Sequence, residues 1–227
     1  MLESLSPRLA AVADLVPFGS VVADIGTDHA YLPLSLLQKG HIPYAIATDM
    51  REGPLQNAAK SANTYGFADK ISLRLGNGLD PVGVDEASCI VMAGMGGETI
   101  ASILENGTVP NDARVFILQP MTKFEVLRRF LAQNGFGITS WRLAREGRHI
   151  YECWAVSRHA PVETDELYLH VGRKTPETES LYTFYIRDRL FKLRKKRNGL
   201  ARSAAGGGEL KIKLSSLIER IEKEVLA

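Results

Sequence analysis

Short apolar runs rich in β-branched residues alternate with helix-like segments along most of the first 135 residues. Each helix-like segment closes on a glycine, which is a common helix end. Parallel strands need long crossover connections, and these are usually helices. The alternation therefore predicts an α/β fold with a doubly wound, mostly parallel sheet. The five strand-like runs cover residues 21–25, 44–49, 71–75, 88–93 and 114–119, and the helix-like segments cover 31–40, 53–66, 97–107 and 123–135.

Two further strand-like runs follow with no helix between them, "GITSWRLAREG" at 137–147 and "HIYECWAVSR" at 149–158. Two adjacent strands joined by a short turn form an antiparallel hairpin. We expect the last strand to run antiparallel, which brings the sheet to seven strands.

The pattern changes after Arg158. Residues 159–180 are polar and turn-rich, and predict a linker or lid-like connection. Two amphipathic stripes follow, separated by three glycines, and predict an antiparallel helical hairpin. The expected domains are thus 1–159 and 160–227, with self-association through the hairpin as an open alternative. The stripes consist of Ile186, Leu190, Leu193, Leu200 and Ala204, then Leu210, Leu214, Leu217 and Ile221, and the glycines are Gly206, Gly207 and Gly208.

The charge is distributed unevenly between these two parts. Residues 1–159 carry 14 Lys/Arg against 16 Asp/Glu, whereas residues 160–227 carry 14 against 10. Eight of the basic residues, with one acid, fall within 187–202. This asymmetry predicts an acidic partner such as nucleic acid, and a solvated helix face is the alternative.

The remaining composition excludes several classes of protein. No apolar run is long enough to span a membrane, and no basic segment precedes an apolar one at the N-terminus, so we expect a cytoplasmic protein. Cys89 and Cys153 are the two cysteines and form no Cys-x-x-Cys pair. Neither a disulfide framework nor a metal site is predicted.

Polar and glycine-rich turns follow the first four predicted strands. In a doubly wound sheet the ligand binds outside the carboxyl ends of the strands. Gly26 permits close backbone approach, Asp49 is placed to accept ribose hydroxyls, and Asn77 can offer an amide to an adenine edge. A nucleoside-bearing cofactor is predicted. The turns are Asp24-Ile25-Gly26-Thr27-Asp28-His29, Thr48-Asp49-Met50, Gly76-Asn77-Gly78 and Ala93-Gly94-Met95-Gly96-Gly97.

The first turn argues against a dinucleotide. It reads Gly-Thr-Asp-His-Ala-Tyr in place of Gly-x-Gly-x-x-Gly, and Asp28 would repel a pyrophosphate. An acidic group there suits a cationic ligand such as S-adenosyl-L-methionine. The alternative is that Asp28 caps the following helix.

These motifs resemble those of the bacterial tRNA (adenine-22-N1)-methyltransferase family. The resemblance rests on "ADIGTDHAYLP", "GNGL", "AGMGG" and "LQP", in this order and spacing, and on Ser6-Pro7-Arg8-Leu9. It implies a Rossmann-like class I methyltransferase fold with a C-terminal helical hairpin. It also implies S-adenosyl-L-methionine as methyl donor and N1 of one adenine in the tRNA D-arm as acceptor. Asn77 departs from the aspartate often found in this family's "GDGL" motif, and an amide can still hydrogen-bond adenine.

The strand ends and the resemblance together give the candidate site residues. Asp28 and His29 are catalytic candidates, which steer the adenine's exocyclic amine or frame the cofactor. The expected cofactor-binding residues are Asp24, Ile25, Gly26, Thr27, Asp28, His29, Asp49, Met50, Asn77, Gly78, Ala93 and Gly94. The expected substrate-binding residues are Arg8, Tyr31, Gly94, Met95, Gly96, Lys195 and Lys196.

Alternatives stay open for several of these positions and for the function. Tyr31 and Met95 are also explained as core residues, and Arg8 as a surface salt bridge. Rival functions are a methyltransferase for another RNA, a small molecule or a protein, a non-enzymatic RNA-binding module that retains a cofactor pocket, and a dinucleotide oxidoreductase. The expected partner is tRNA, with no membrane association, and the expected state is a monomer or weak homodimer.

Overall fold

The computed structural model describes residues 4–108, 115–201 and 208–226. The chain forms two compact units, Met1–Glu163 and Thr164–Ala227. No helix of the described residues is long and apolar enough to cross a membrane.

The first unit is built on one seven-stranded sheet in the order β3-β2-β1-β4-β5-β7-β6. β1 to β5 are parallel, and β7 lies antiparallel between β5 and β6, which confirms the predicted mixed sheet. Every residue of β1 and β2 is buried, as expected for parallel strands covered on both faces. The strands are β1 Val22–Ile25, β2 Ala45–Asp49, β3 Ile71–Leu75, β4 Cys89–Gly96, β5 Val115–Thr122, β6 Gly137–Glu146 and β7 His149–Ser157.

The described residues of this unit also form five helices and a short 3-10 helix, Ala68–Lys70. α1 begins with Pro7 after Ser6, whose hydroxyl accepts the N–H of Leu9. α3 ends at Gly66 with φ 78°, a left-handed conformation that glycine adopts without strain. The helices are α1 Pro7–Ala13, α2 Tyr31–Gln38, α3 Glu52–Tyr65, α4 Gly97–Asn106 and α5 Phe124–Gln133.

The direction of strand succession changes at β1, which pairs with β2 on one side and β4 on the other. Such a switch point leaves a crevice at the carboxyl ends of the strands. β6 runs parallel to β5, because each is antiparallel to β7. The turn between β6 and β7 therefore lies at the same end of the sheet as the carboxyl ends of β1 to β5.

The fourth strand is longer than predicted. Most of "AGMGG" was expected to follow this strand as a turn, but Ala93–Gly96 belong to β4 and pair with β5. The pairing register shifts around Met95, so the strand continues through a bulge instead of ending. An irregular strand of this kind lacks the simple alternation that marks a strand in a sequence.

Within residues 164–201 and 208–226, the second unit forms three helices, α6 Glu166–Val171, α7 Glu179–Ala201 and α8 Gly208–Glu224. α6 lies within the segment 159–180, for which the sequence predicts a linker or lid-like connection and no helix was assigned. Asp165 caps this helix by accepting the N–H of Leu167, and Arg220 of α8 binds the same carboxylate. Six residues are too few to show a helical period in the sequence.

α7 and α8 pack through much of the predicted apolar stripe. Ile186, Leu190 and Leu193 are buried on α7, and Leu214, Leu217 and Ile221 on α8. Leu210 is exposed, contrary to the prediction, and Gly208 begins α8 instead of preceding it. Ala204, Gly206 and Gly207 lie outside the described residues.

Candidate active site

A cavity of about 740 Å³ opens at the carboxyl ends of the first four strands. Because this is the switch point of the sheet, the location agrees with the expected ligand site. Seven of the residues predicted for cofactor or substrate line it: Ile25, Gly26, Asp49, Met50, Asn77, Gly78 and Met95. Asp24, Thr27, Asp28, His29, Ala93 and Gly94 do not line the cavity itself.

Gly26 forms the floor of the cavity after β1. Its φ is +75°, and a Cβ at this position would clash with the Cε of Met95. The positive φ favours glycine here, and any larger residue would also displace the Met95 methyl group. Met95 thus packs on the turn after β1 as well as lining the cavity.

Asp49 presents a buried carboxylate at the end of β2. Its Oδ1 accepts the N–H of Arg51 at 2.8 Å, and the Nε of Arg51 lies 3.5 Å from the same oxygen. Among the described residues, none hydrogen-bonds Oδ2, so this oxygen is left for a ligand. The neighbouring Oγ1 of Thr48, on the cavity wall, is likewise buried without a partner in the described part of the chain.

Asp24 lies in β1 beneath the turn that carries Gly26. Burial raises the pKa of this carboxyl from 3.8 to about 6, against the opposing effect of a hydrogen bond from the side chain of Thr27. A buried acid with a pKa near neutrality changes charge readily when a cation binds nearby.

Asp28 and His29 stand outside the cavity, in the bend before α2. The two side chains approach to 3.6 Å, and the His29 ring stacks on Tyr31 with centroids 5.0 Å apart. Ala30, the residue before α2, has φ 54°, and no side chain caps the start of the helix, so Asp28 does not cap it. Tyr31 is 43% exposed, so its interpretation as a core residue is wrong.

Gly94 lies in the β4 bulge and has φ +81°. Its N–H donates to the Oε1 of Gln119 at 3.1 Å, and Nη1 of Arg8 donates to the same oxygen at 2.7 Å. Gln119 is fully buried, and its Nε2 donates to the carbonyl of Pro120. Arg8 is therefore held beside Gly94 by a neutral amide, in place of the surface salt bridge considered as an alternative.

The first turn of α1 is held at the same end of the sheet as the cavity. The backbone N–H of Arg8 donates to Oε1 of Glu146, at the end of β6, at 2.8 Å. The Ser6 hydroxyl and this N–H lower the pKa of Glu146.

Sequence reasoning missed two parts of the site. Gln119 belongs to the "LQP" motif but was assigned no role, because only the fold shows that it bonds Arg8 and Gly94. The second part is the wall formed by α4, where spacing of three to four residues places polar and apolar side chains toward the cavity. That wall consists of Glu98, Thr99, Ser102, Ile103 and Asn106.

The two lysines predicted to bind substrate lie in the second unit, apart from the residues that line the cavity. Lys195 and Lys196 are exposed on α7. In the described ranges, no group of three or more His, Cys, Asp or Glu side chains is placed to hold a metal ion. Burial raises the pKa of the Cys89 and Cys153 thiols to about 12, which makes them poor nucleophiles at neutral pH.

Residues 5–154 match the family described as methyltransferase domain. The tRNA (adenine(22)-N(1))-methyltransferase of Bacillus subtilis is 37% identical over 149 residues, which are 65% of this chain and 63% of that relative. A protein of the NADB-Rossmann superfamily from Streptococcus agalactiae shares the fold, with a TM-score of 0.84, 33% identity and 98% of each chain covered. The structure of M. capricolum TrmK with S-adenosyl-homocysteine gives a TM-score of 0.79 at 27% identity, with 97% of each chain covered.

Proposed function

This chain belongs to the bacterial tRNA (adenine-22-N1)-methyltransferase family, within the methyltransferase-domain family, and we propose that it methylates N1 of adenine 22 in the D-arm of tRNA. The methyl donor is S-adenosyl-L-methionine. The observation that carries this proposal is the cavity at the switch point of the sheet, with Asp49 and Asn77 on its wall.

The residues present fit S-adenosyl-L-methionine. The free Oδ2 of Asp49 can accept the ribose hydroxyls, and Asn77 with Gly78 and Ile103 can border the adenine. Ile103 lies 3.0 Å from the place of a Cβ on Gly78, so the two form one narrow part of the wall. Asp24 and Asp28 supply negative charge near the turn where the cationic end of the cofactor is proposed to bind.

The proposed methyl transfer does not require the protein to remove a proton from the acceptor. S-Adenosyl-L-methionine supplies an electrophilic methyl group on a sulfonium. N1 of adenine has an in-plane lone pair and no proton, so the attack requires no general base. The protein's task is to hold N1 in line with the methyl group, and such alignment supplies about 7–11 kcal/mol of the barrier.

We assign the acceptor side to the end of β4. Gly94 and Gly96 leave room for a base, and Met95 borders both the cavity and the proposed position of the adenine. The candidates to contact the base from the start of α2 are Asp28 and His29, in the bend before the helix, and Tyr31, its first residue. N1 lies on the Watson–Crick edge, so the adenine must be unpaired or flipped, at a cost of a few kcal/mol.

We further propose that Lys195 and Lys196 contact the phosphates of tRNA. Phosphate contacts position RNA without reading its sequence. The protein is proposed to work in the cytoplasm without a metal ion, as a monomer or weak homodimer.

The product test is direct. Incubation of tRNA with the protein and S-adenosyl-L-methionine should yield N1-methyladenosine, detected by mass spectrometry of nucleosides. Because the modification blocks Watson–Crick pairing, reverse transcription should stop at one site. A tRNA with guanine at that site is the control and should remain unmodified. Methylation of the guanine variant, or N6-methyladenosine as the product, would contradict the proposal.

The raised pKa of Asp24 predicts a pH dependence for cofactor binding. A bound cation stabilises the charged form of the Asp24 carboxyl, so cofactor binding below pH ~6 requires Asp24 to lose a proton. Affinity should therefore weaken as the pH falls through about 6 and become constant above it, with a change of at most tenfold per pH unit, or about 1.36 kcal/mol. Calorimetry from pH 5 to 8 measures this change. Asp24→Asn should show a flatter profile, and equal profiles for both proteins would exclude Asp24 as the source.

A further inference from the structure

The turn between β6 and β7 lies at the same end of the sheet as the cavity, and three side chains near it approach one another in succession. We call Arg8, Arg148, His149 and Tyr151 the hairpin surface. Nη1 of Arg8 lies 3.7 Å from the place of a Cβ on Gly94, and the Arg8 guanidinium lies 5.8 Å from the centre of the Tyr151 ring. The rings of Tyr151 and His149 follow, with centroids 6.2 Å apart. These contacts extend from the proposed acceptor position to His149, which follows Arg148 at the turn.

The backbone that carries the hairpin surface is held by contacts within the first unit. Glu146 pairs with His149 across a two-residue turn whose first residue, Gly147, has φ +57°. A positive φ at that position belongs to the tight turns that match the twist of a hairpin. Glu146 also holds the backbone N–H of Arg8, so α1 and the turn keep one arrangement.

The part of the first unit that contains the hairpin has the more basic sequence. Residues 1–100 carry 6 Lys/Arg against 11 Asp/Glu, whereas residues 101–159 carry 8 against 5. Arg148 is exposed and has no ion pair within the described ranges. The Arg8 side chain donates to an amide, which leaves its charge available to a phosphate.

We propose that the hairpin surface binds the phosphate backbone of the tRNA strand that flanks the target adenine. This rests on the proposed function, and it adds a tRNA contact within the catalytic unit, separate from that of Lys195 and Lys196. Arg8 and Arg148 bind phosphates, and Tyr151 supports the Arg8 guanidinium through a cation–π contact. The strand is thereby led from the turn toward Gly94.

Binding of tRNA by the full chain tests the charge. Arg148→Ala should bind tRNA about 5- to 10-fold more weakly, and the slope of log K against log salt should fall by about 0.9 because one phosphate is no longer neutralised. Arg148→Lys should recover part of the affinity. Lys39→Ala is the matched control. Lys39 is exposed directly after α2, at the end of the sheet where the parallel strands begin, away from the cavity. An Arg148→Ala protein that behaves like the Lys39→Ala protein overturns the inference.

Directed cleavage tests the location. Both native cysteines are fully buried, so iron–EDTA attached to Arg148→Cys will label one site. The radicals should cut the tRNA backbone on the strand beside the methylated adenine, and Lys39→Cys should give no such cuts. Cuts elsewhere, or none, overturn the inference. Methyl transfer by the unmodified protein is measured on the same tRNA. If the tRNA is methylated but the Arg148 variants show neither weaker binding nor the expected cleavage, only the inference about the hairpin surface is overturned. If the tRNA is not methylated, the proposed function is overturned, and the inference with it.

Discussion

Asp49→Ala should weaken S-adenosyl-L-methionine binding by about 10- to 150-fold. The side chain is buried at the end of β2 on the cavity wall, and one oxygen accepts the N–H of Arg51 while none of the described residues hydrogen-bonds the other. Loss of a hydrogen bond to a charged group costs about 1.5–3 kcal/mol, which gives this range. Isothermal calorimetry measures the effect directly.

Two further variants define the cause. Asp49→Asn keeps an acceptor for the Arg51 N–H but loses the charge, so its affinity should lie between those of Asp49→Ala and the unmodified protein. Asp69→Ala removes an exposed acid from the 3-10 helix and should bind normally. Unchanged affinity of a folded Asp49→Ala protein would rule out Asp49 as the ribose ligand.

Removal of the second unit should separate the two binding activities. The cavity is lined by residues 25–107, all in the first unit. A chain that ends at Glu163 should therefore keep its affinity for S-adenosyl-L-methionine and lose most of its tRNA binding. The boundary between the two units falls here, four residues after the end of the domain expected from the sequence.

A triple substitution gives the same test without truncation. Replacement of Lys195, Lys196 and Arg197 by Ala should weaken tRNA binding and reduce the salt slope by about 0.9 for each phosphate that the protein no longer neutralises. Replacement of Lys211, Lys213 and Lys223 on α8 removes the same charge and is the control. If both triple variants lose affinity equally, net charge explains the effect and no α7 contact is needed. If neither changes tRNA affinity while truncation alters only stability or self-association, the helices serve the fold or dimerisation.

The sequence predicts the sheet well because each parallel strand is a buried, nearly continuous apolar run. It also predicts the cavity residues that immediately follow strands, such as Gly26, Asp49 and Asn77, since topology alone brings strand ends together. Gln119 could not be found in this way. A buried glutamine inside a strand gives no periodic signal, and its partners Arg8 and Gly94 are 111 and 25 residues away in the chain.

α6 and the β4 bulge were missed for related reasons. The helix is held by Asp165 and by Arg220, a contact 55 residues distant, and it is too short for its own pattern to appear. The bulge is stabilised by the Gln119 amide, which hydrogen-bonds the N–H of Gly94 at the position where the strand register shifts. In both cases long-range contacts decide the local structure.

The bond between Arg8 and Glu146 also bears on the order in which the protein is built during synthesis. It joins residues 138 positions apart, and such contacts form late because a long loop must close first. Residues 22–107 supply the strands and helix around the cavity and emerge from the ribosome well before β6. α1 therefore has to wait for the end of β6 before Glu146 can hold it with Arg8 beside Gly94. The acceptor side of the site is thus completed only after all the residues that line the cavity have been synthesised.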